Sequence, residues 1–219
     1  MFRYSEIAAD LQLGREGFMN QIQENQIDLT QTSAERPAES GSELAAGLVS
    51  QFSMKDGTEV SLRPIHPGDE PLMAQFHQTL SGRSVYMRYF CSISLEARLA
   101  HERLVRICHV DREREVALVV DYTNKSSGKQ QILGVGRLIK LDGQNEAEVA
   151  ILVSDQYQKQ GLGTELLRRL IQIARDQKLH RVSGELLRDN LAMQIIVKKL
   201  GFRFRLCADS ASIPVVLEL

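Results

Sequence analysis

A strand-like run, "AEVAILV" at residues 147–153, passes through "SDQYQKQGLG" into a long amphipathic segment, "TELLRRLIQIARDQ". No other stretch limits the fold so strongly. Leu162, Leu166, Leu170 and Ile173 recur at helical spacing, while Arg168, Arg169, Gln172 and Arg175 fall on the opposite face. The spacing predicts a helix that starts near Gly161 and packs on a sheet. Its first amide N–H groups have no intrahelical acceptor, and the helix dipole adds partial positive charge there. Gly161 and Gly163 have no side chains to block an approaching ligand. Together these features predict an anion site, most naturally for a pyrophosphate.

Two common phosphate motifs do not match. No GxxxxGK followed by Ser or Thr occurs, which excludes a P-loop. A GxGxxG turn would need a third glycine where Leu166 stands. The pair Gly134 and Gly136 lies inside a strand-like run and opens no helix.

The rest of the chain supports an α/β fold. Helical patterns are expected after Pro67 (Leu72, Met73, Phe76, Leu80) and over residues 94–108, with Leu95, Leu99 and Leu104 facing in and Arg98, Glu102 and Arg103 facing out. "SGRSVYMRYF" at residues 81–90 is expected as an aromatic, basic connection between them. "EVALVVDY", "QILGVGRLIKL" and "EAEVAILV" form an antiparallel meander, and "RVSGELL" follows the glycine-turn helix as a crossover strand. "DNLAMQIIVKKLG" is a helix with Gly201 as its stop, and "FRFRLC" and "IPVVLEL" close the domain as strands.

Hydrophobic residues make up 43% of the chain, enough for a sizeable core. The net charge of −1 gives no global attraction to nucleic acid or to an anionic membrane. No apolar run approaches the roughly 20 residues of a membrane span, and the start lacks signal-peptide order. These features predict a soluble, cytoplasmic protein. Three scattered cysteines and five scattered histidines suggest neither a disulfide framework nor a metal site. "QTSAERPAESGSELAAG" has the composition of a linker, so residues 1–53 are expected as a flexible extension and residues 54–219 as one domain.

The pattern Gln158-x-x-Gly161-x-Gly163 after "ILVSDQY", then helix, strand, Asn190 and "KKLGF", resembles the GNAT superfamily of acyl-CoA-dependent N-acyltransferases. The likeness runs over residues 58–219, and its specific part is residues 147–202. "SLRPIHPGDEPLMAQFHQTLSGRSVYMRYF", "AEVAILVSDQYQKQGLG" and "LLRDNLAMQIIVKKLGF" resemble the bacterial Pat-type protein lysine acetyltransferases. The resemblance implies the GNAT fold, a mixed, mostly antiparallel sheet with a central splayed parallel strand pair flanked by helices. It implies acetyl-CoA as co-substrate, no metal, and a protein lysine as acceptor.

By the same resemblance, pantetheine lies against the backbone of Ile151, Leu152 and Val153. The pyrophosphate sits on the amides of Gln158, Lys159, Gln160, Gly161, Leu162, Gly163 and Thr164, and Asn190 touches the cofactor. Glu148 is the general base, with Glu146 as the fallback. Many relatives carry a Tyr acid where Val197 stands; Pat-type proteins lack it too, which leaves water to reprotonate the thiolate. Two other functions stay open on these residues: acetylation of a small amine, and a non-catalytic acyl-CoA-binding regulatory module.

Overall fold

The computed structural model describes residues 47–205 and 210–219. Strands β1 (Ser50–Ser53), β2 (Glu59–Pro64), β3 (Glu115–Thr123), β4 (Gln130–Lys140), β5 (Glu146–Val153), β6 (Arg181–Leu187), β7 (Arg203–Phe204) and β8 (Ser212–Glu218) form one sheet. Their order is β1-β2-β3-β4-β5-β6-β8-β7. Only β5 and β6 run parallel; the other pairs are antiparallel. This is the mixed sheet with one central parallel pair that the resemblance implies.

The central strands are apolar on both faces, so each face needs a cover. In β3, Leu118 and Val120 join one core cluster while Ala117 and Val119 join the other, as strand alternation requires. The first cluster lies under α5 (Leu162–Asp176), which buries Leu162, Leu166, Leu167, Leu170 and Ile171. The second lies under α1 (Glu70–Gln78), α2 (Gly82–Tyr89) and α4 (His101–Cys108), through Met73, Phe76, Val85, Leu104 and Ile107. Short α3 (Leu95–Leu99) precedes α4, and α6 (Leu191–Lys199) follows β6. A Cβ on Gly134 would lie 3.3 Å from Leu166 Cδ1, and one on Gly136 would lie 3.1 Å from Leu170 Cδ1. The glycines of β4 therefore let α5 pack tightly against the sheet. No helix among the described residues is long and apolar enough to cross a membrane.

Several local expectations need correction. Residues 81–90 are not a connection: Gly82–Tyr89 is helical, capped by the Ser81 side chain, which accepts from the Ser84 N–H. Only Val85 of this helix is buried, so no apolar stripe announces it. The helix expected over 94–108 breaks at Ala100, which has extended ψ of 128°. Arg98 and Arg103 are buried rather than outward, and Leu95 is exposed. Arg98 is drawn in because its Nη1 donates to the carbonyl of His77 at 2.7 Å.

The boundary of the extension also shifts. Residues 1–46 lie outside the described residues, but Ser50–Ser53 pairs with β2, and Phe52 packs on the first cluster. The last four residues assigned to the extension thus belong to the sheet. The "FRFRLC" strand shortens to Arg203–Phe204, and residues 206–209, with Cys207, lie outside the described residues.

Candidate active site

β5 and β6 share only three rungs: Glu146 opposite Arg181, Ala147 opposite Val182, and Glu148 opposite Ser183. Beyond them β5 stays with β4 up to Val153, and β6 stays with β8 up to Leu187. The two strands therefore part just after Glu148 and leave a wedge whose β5 wall runs from Val149 to Val153.

The direction of each backbone group in that wall follows from its neighbours. Ser154 N–H donates to Leu133 O at 2.9 Å, on the β4 side. A Cβ on Gly134 would lie 3.3 Å from Leu152 O, again on the β4 side, and one on Gly184 would lie 3.3 Å from Val149 O, on the β6 side. A strand residue sends its N–H and C=O to the same neighbour, and the sides alternate. Val149, Ile151 and Val153 therefore present their backbone to the wedge, and Leu152 presents its backbone to β4. This corrects the reading of Leu152. Its side chain, like that of Ala150, instead lines a cavity on the other side of the sheet from α5.

The glycine turn follows β5 directly. Lys159 has φ of 64° and Gly161 φ of 97°, and these two left-handed residues curl the chain into α5. Gly161 is the N-cap and provides no capping side chain. The first bond into the helix runs from Glu165 N–H to Gly161 O at 3.0 Å. Among the described residues, the N–H groups of Leu162, Gly163 and Thr164 have no hydrogen-bond acceptor. Three donors at the positive end of a 15-residue helix make a site that suits phosphate oxygens.

The glycines have a further reason that sequence alone did not show. A Cβ on Gly161 would lie 3.2 Å from the Phe52 ring, and one on Gly163 would lie 3.3 Å from Ile151 Cδ1 and 3.4 Å from Ile196 Cδ1. They serve backbone curvature and packing inside the protein as well as access from outside. Lys55 N–H braces the same turn through Gln160 O at 3.2 Å.

Gln158, the first residue of the motif, is exposed but its side chain bonds to protein groups. Its Nε2 donates to Val153 O at 3.2 Å and to Ser84 Oγ at 3.1 Å. Asp155 accepts from Ser81 N–H at 2.9 Å, Ser81 Oγ at 2.7 Å and Ser84 Oγ at 2.9 Å. Burial opposes ionisation of this carboxyl, but the hydrogen bonds from Ser81 and Ser84 together outweigh it and hold its pKa below the usual range. The start of α2 is thereby tied to the turn after β5. Asn190 caps α6, its Oδ1 accepting from Met193 N–H at 3.2 Å. Lys159 is exposed.

Glu148 is half-buried on the same side of β5 as Ala150 and Leu152. Its charge reaches Arg88 on α2. Burial lowers the Arg88 pKa, while Tyr89 and Glu148 act the other way. Glu146 is differently placed: its Oε1 takes Nη1 of Arg181 at 2.8 Å at the first rung of the parallel pair. The fallback carboxylate is thus held in an ion pair. Asp155, Ser84, His77 and Arg88 were not singled out from sequence, because each is an isolated polar residue whose partners are distant along the chain.

This wedge with unpaired amides beside it suits an extended ligand that carries phosphates, as an acyl-CoA does. Residues 59–203 match the family model of the acetyltransferase (GNAT) domain, and the chain belongs to that family. It is 30% identical to the acetyltransferase Pat of Mycolicibacterium smegmatis over 150 residues, 68% of this chain and 42% of that one. The chain thus spans well under two thirds of that relative. It is 27% identical to an acetyltransferase of Pseudomonas aeruginosa over 150 residues, 68% of this chain and 78% of that one. The GNAT domain of PAT from S. lividans shares the fold with a TM-score of 0.69 at 23% identity, over 84% of this chain and all of that one.

Proposed function

We propose that this protein moves an acetyl group from acetyl-CoA to the ε-amine of a lysine on a protein, such as an acyl-CoA synthetase, with Glu148 as general base. The observation that carries this reading is the position of Glu148 at the last rung before β5 and β6 part. The similarity to a relative named Pat supports the choice of a protein lysine.

Pantetheine amides bond to the wedge-facing backbone of Ile151 and Val153. Pyrophosphate oxygens take the N–H groups of Leu162, Gly163 and Thr164, in a turn built by Gln158, Lys159, Gln160 and Gly161. Asn190 flanks the cofactor from the start of α6. The acceptor approaches from the α2 side, where Glu148 stands. A free lysine has a pKa of about 10.4, so roughly one amine in 2,500 is neutral at pH 7. Glu148 takes the ammonium proton, directly or through water. The neutral nitrogen attacks the thioester carbonyl carbon, and a wedge-facing N–H of β5 holds the oxyanion. The C–N bond forms and the C–S bond breaks; the nitrogen gives its second proton to water as the amide forms, and the CoA thiolate, a leaving group with a pKa of about 8.5, takes a proton from water. Val197, 2% exposed in the core, has no proton to give.

The test is incubation with labelled acetyl-CoA and a cell extract. Label on protein lysines is expected. Label confined to small amines would replace the proposed acceptor, and no transfer at all would overturn the reading.

A further inference from the structure

A second site lies on the Glu148 side of β5. A cavity of ≈ 30 Å³, room for about two water-sized groups, is lined mostly by apolar side chains, with His77, Arg88, Tyr89 and Arg137 as its polar members. His77 is 1% exposed, and neither ring nitrogen has a partner among the described residues. A buried polar group left unpaired is costly, so this imidazole calls for a partner. Burial first, then the charges of Arg103, Arg98 and Arg137, lower its pKa to about 4. It is therefore neutral at pH 7, with one N–H to donate.

Arg88 is the matching feature. Its guanidinium carbon stands 5.0 Å from the centre of the Tyr89 ring, and Arg103 stands 5.3 Å from the same ring. Arg88 feels the charge of Glu148 but makes no hydrogen bond among the described residues, so its planar fork of donors can still take an acceptor. Arg137 adds positive charge but is already engaged, with Nη1 on Glu115 and Nη2 on the carbonyl of Ile107 at 2.6 Å. Arg88 and His77 line the same cavity, and a carboxylate held there could accept from a guanidinium and from a neutral imidazole N–H.

We propose that this cavity is a carboxylate subsite for one of the two reactants, built from Arg88 and His77. The proposal rests on the acyltransferase reading, because Ala150 places the subsite two residues, about 7 Å, along β5 from Glu148. The carboxylate has two possible sources: the far end of a dicarboxylic acyl group on the donor, or an acidic group beside the amine on the acceptor. In either case the site makes substrate choice depend on an acid near the reacting atoms.

The subsite itself is tested without any cofactor. Succinate is titrated into the protein while the imidazole resonances of His77 are followed, with succinamide as the uncharged control. A saturable shift with succinate alone is expected in the wild type. It should be absent in Arg88→Gln and partly restored in Arg88→Lys. The source is then assigned in two arms. Binding of succinyl-CoA is compared with acetyl-CoA by calorimetry, and Asp-Lys peptides are compared with Asn-Lys peptides as acceptors of acetyl. About a tenfold preference for the acidic member in one arm, lost in Arg88→Gln, is expected from a charge-assisted hydrogen bond. If succinate leaves His77 unmoved, or if neither arm shows a preference in the wild type, the subsite is overturned. If acetyl-CoA fails to bind while succinate still shifts His77, the acyltransferase reading falls and the carboxylate site stands.

Discussion

Glu148 on β5 lies opposite Ser183 on β6 at the last rung that these two strands share. One residue further along, the β5 backbone faces an open wedge. Under the proposed function a carboxylate at that apex stands next to the thioester, and its own backbone is fixed by the ladder with Ile139 of β4. Positioning and access meet at this residue because the parallel pairing stops there.

Glu148→Gln keeps the size of the side chain but cannot accept a proton near neutral pH. Turnover on a protein lysine is expected to fall by about 10²–10⁴-fold, with acetyl-CoA affinity nearly unchanged. The deficit should shrink as pH rises, since more of the acceptor is then already neutral. Glu146→Gln should cost far less, because Glu146 is held by Arg181. The pH–rate profiles of both variants at saturating acetyl-CoA decide this; a near-wild-type rate for Glu148→Gln at pH 7 would remove it as the base.

Gly161 and Gly163 should respond differently to alanine. Gly161 has φ of 97° and a Cβ there meets the Phe52 ring at 3.2 Å, so Gly161→Ala should cost about 1–2 kcal/mol in conformation alone and weaken acetyl-CoA binding. A Cβ on Gly163 meets the ends of Ile151 and Ile196, which can move, and Val153 at ordinary contact distance, so Gly163→Ala should be milder. Urea unfolding of the two variants checks the order; equal losses would contradict it.

Asp155 should make a pH-dependent contribution to stability. Its folded pKa is lowered below the ordinary 3.8, so its ionised form stabilises the fold above that pH, and the contribution is lost as pH falls through the folded value. Asp155→Asn should be less stable than wild type at pH 6, and the gap should close in acid. Denaturation at pH 6 and pH 2.5 measures it. A gap that persists unchanged at pH 2.5 would assign the loss to shape rather than charge.

His77 works in a higher window. Its pKa falls from an ordinary 6.5 to about 4 in the fold, so between these values the unfolded chain binds a proton that the folded chain does not. Stability should therefore drop as pH falls from 6.5 to 4, by roughly 3 kcal/mol from this residue. The difference between wild type and His77→Gln across that window isolates it, since the carboxylates titrate in both. A constant difference would mean that His77 protonates freely in the folded state.

A chain beginning at Leu48 keeps β1, and one beginning at Met54 loses it. The second also loses Phe52, which packs on the first core cluster and over Gly161. Its melting temperature is expected to be lower by at least about 4 °C. Equal melting temperatures would show that β1 adds nothing to the sheet.

The sequence by itself determined α5, the turn before it and the mixed sheet, because these depend on local periodicity and on glycines in one short stretch. Leu162, Leu166 and Leu170 are all buried where their spacing placed them. Only the tertiary structure decided where β5 and β6 part, and so which backbone groups face the wedge; it turned Leu152 away and left Ile151 and Val153 facing it. It also decided that residues 82–89 form a helix, since that helix is held by Ser81, Ser84 and Asp155, over 70 residues apart in sequence, rather than by an apolar stripe. Arg98 could not be read as buried, because its acceptor is the carbonyl of His77 on a different helix. Periodicity is a property of neighbours along the chain, whereas a cavity such as that of His77 and Arg88 is assembled from elements that meet only when the chain folds.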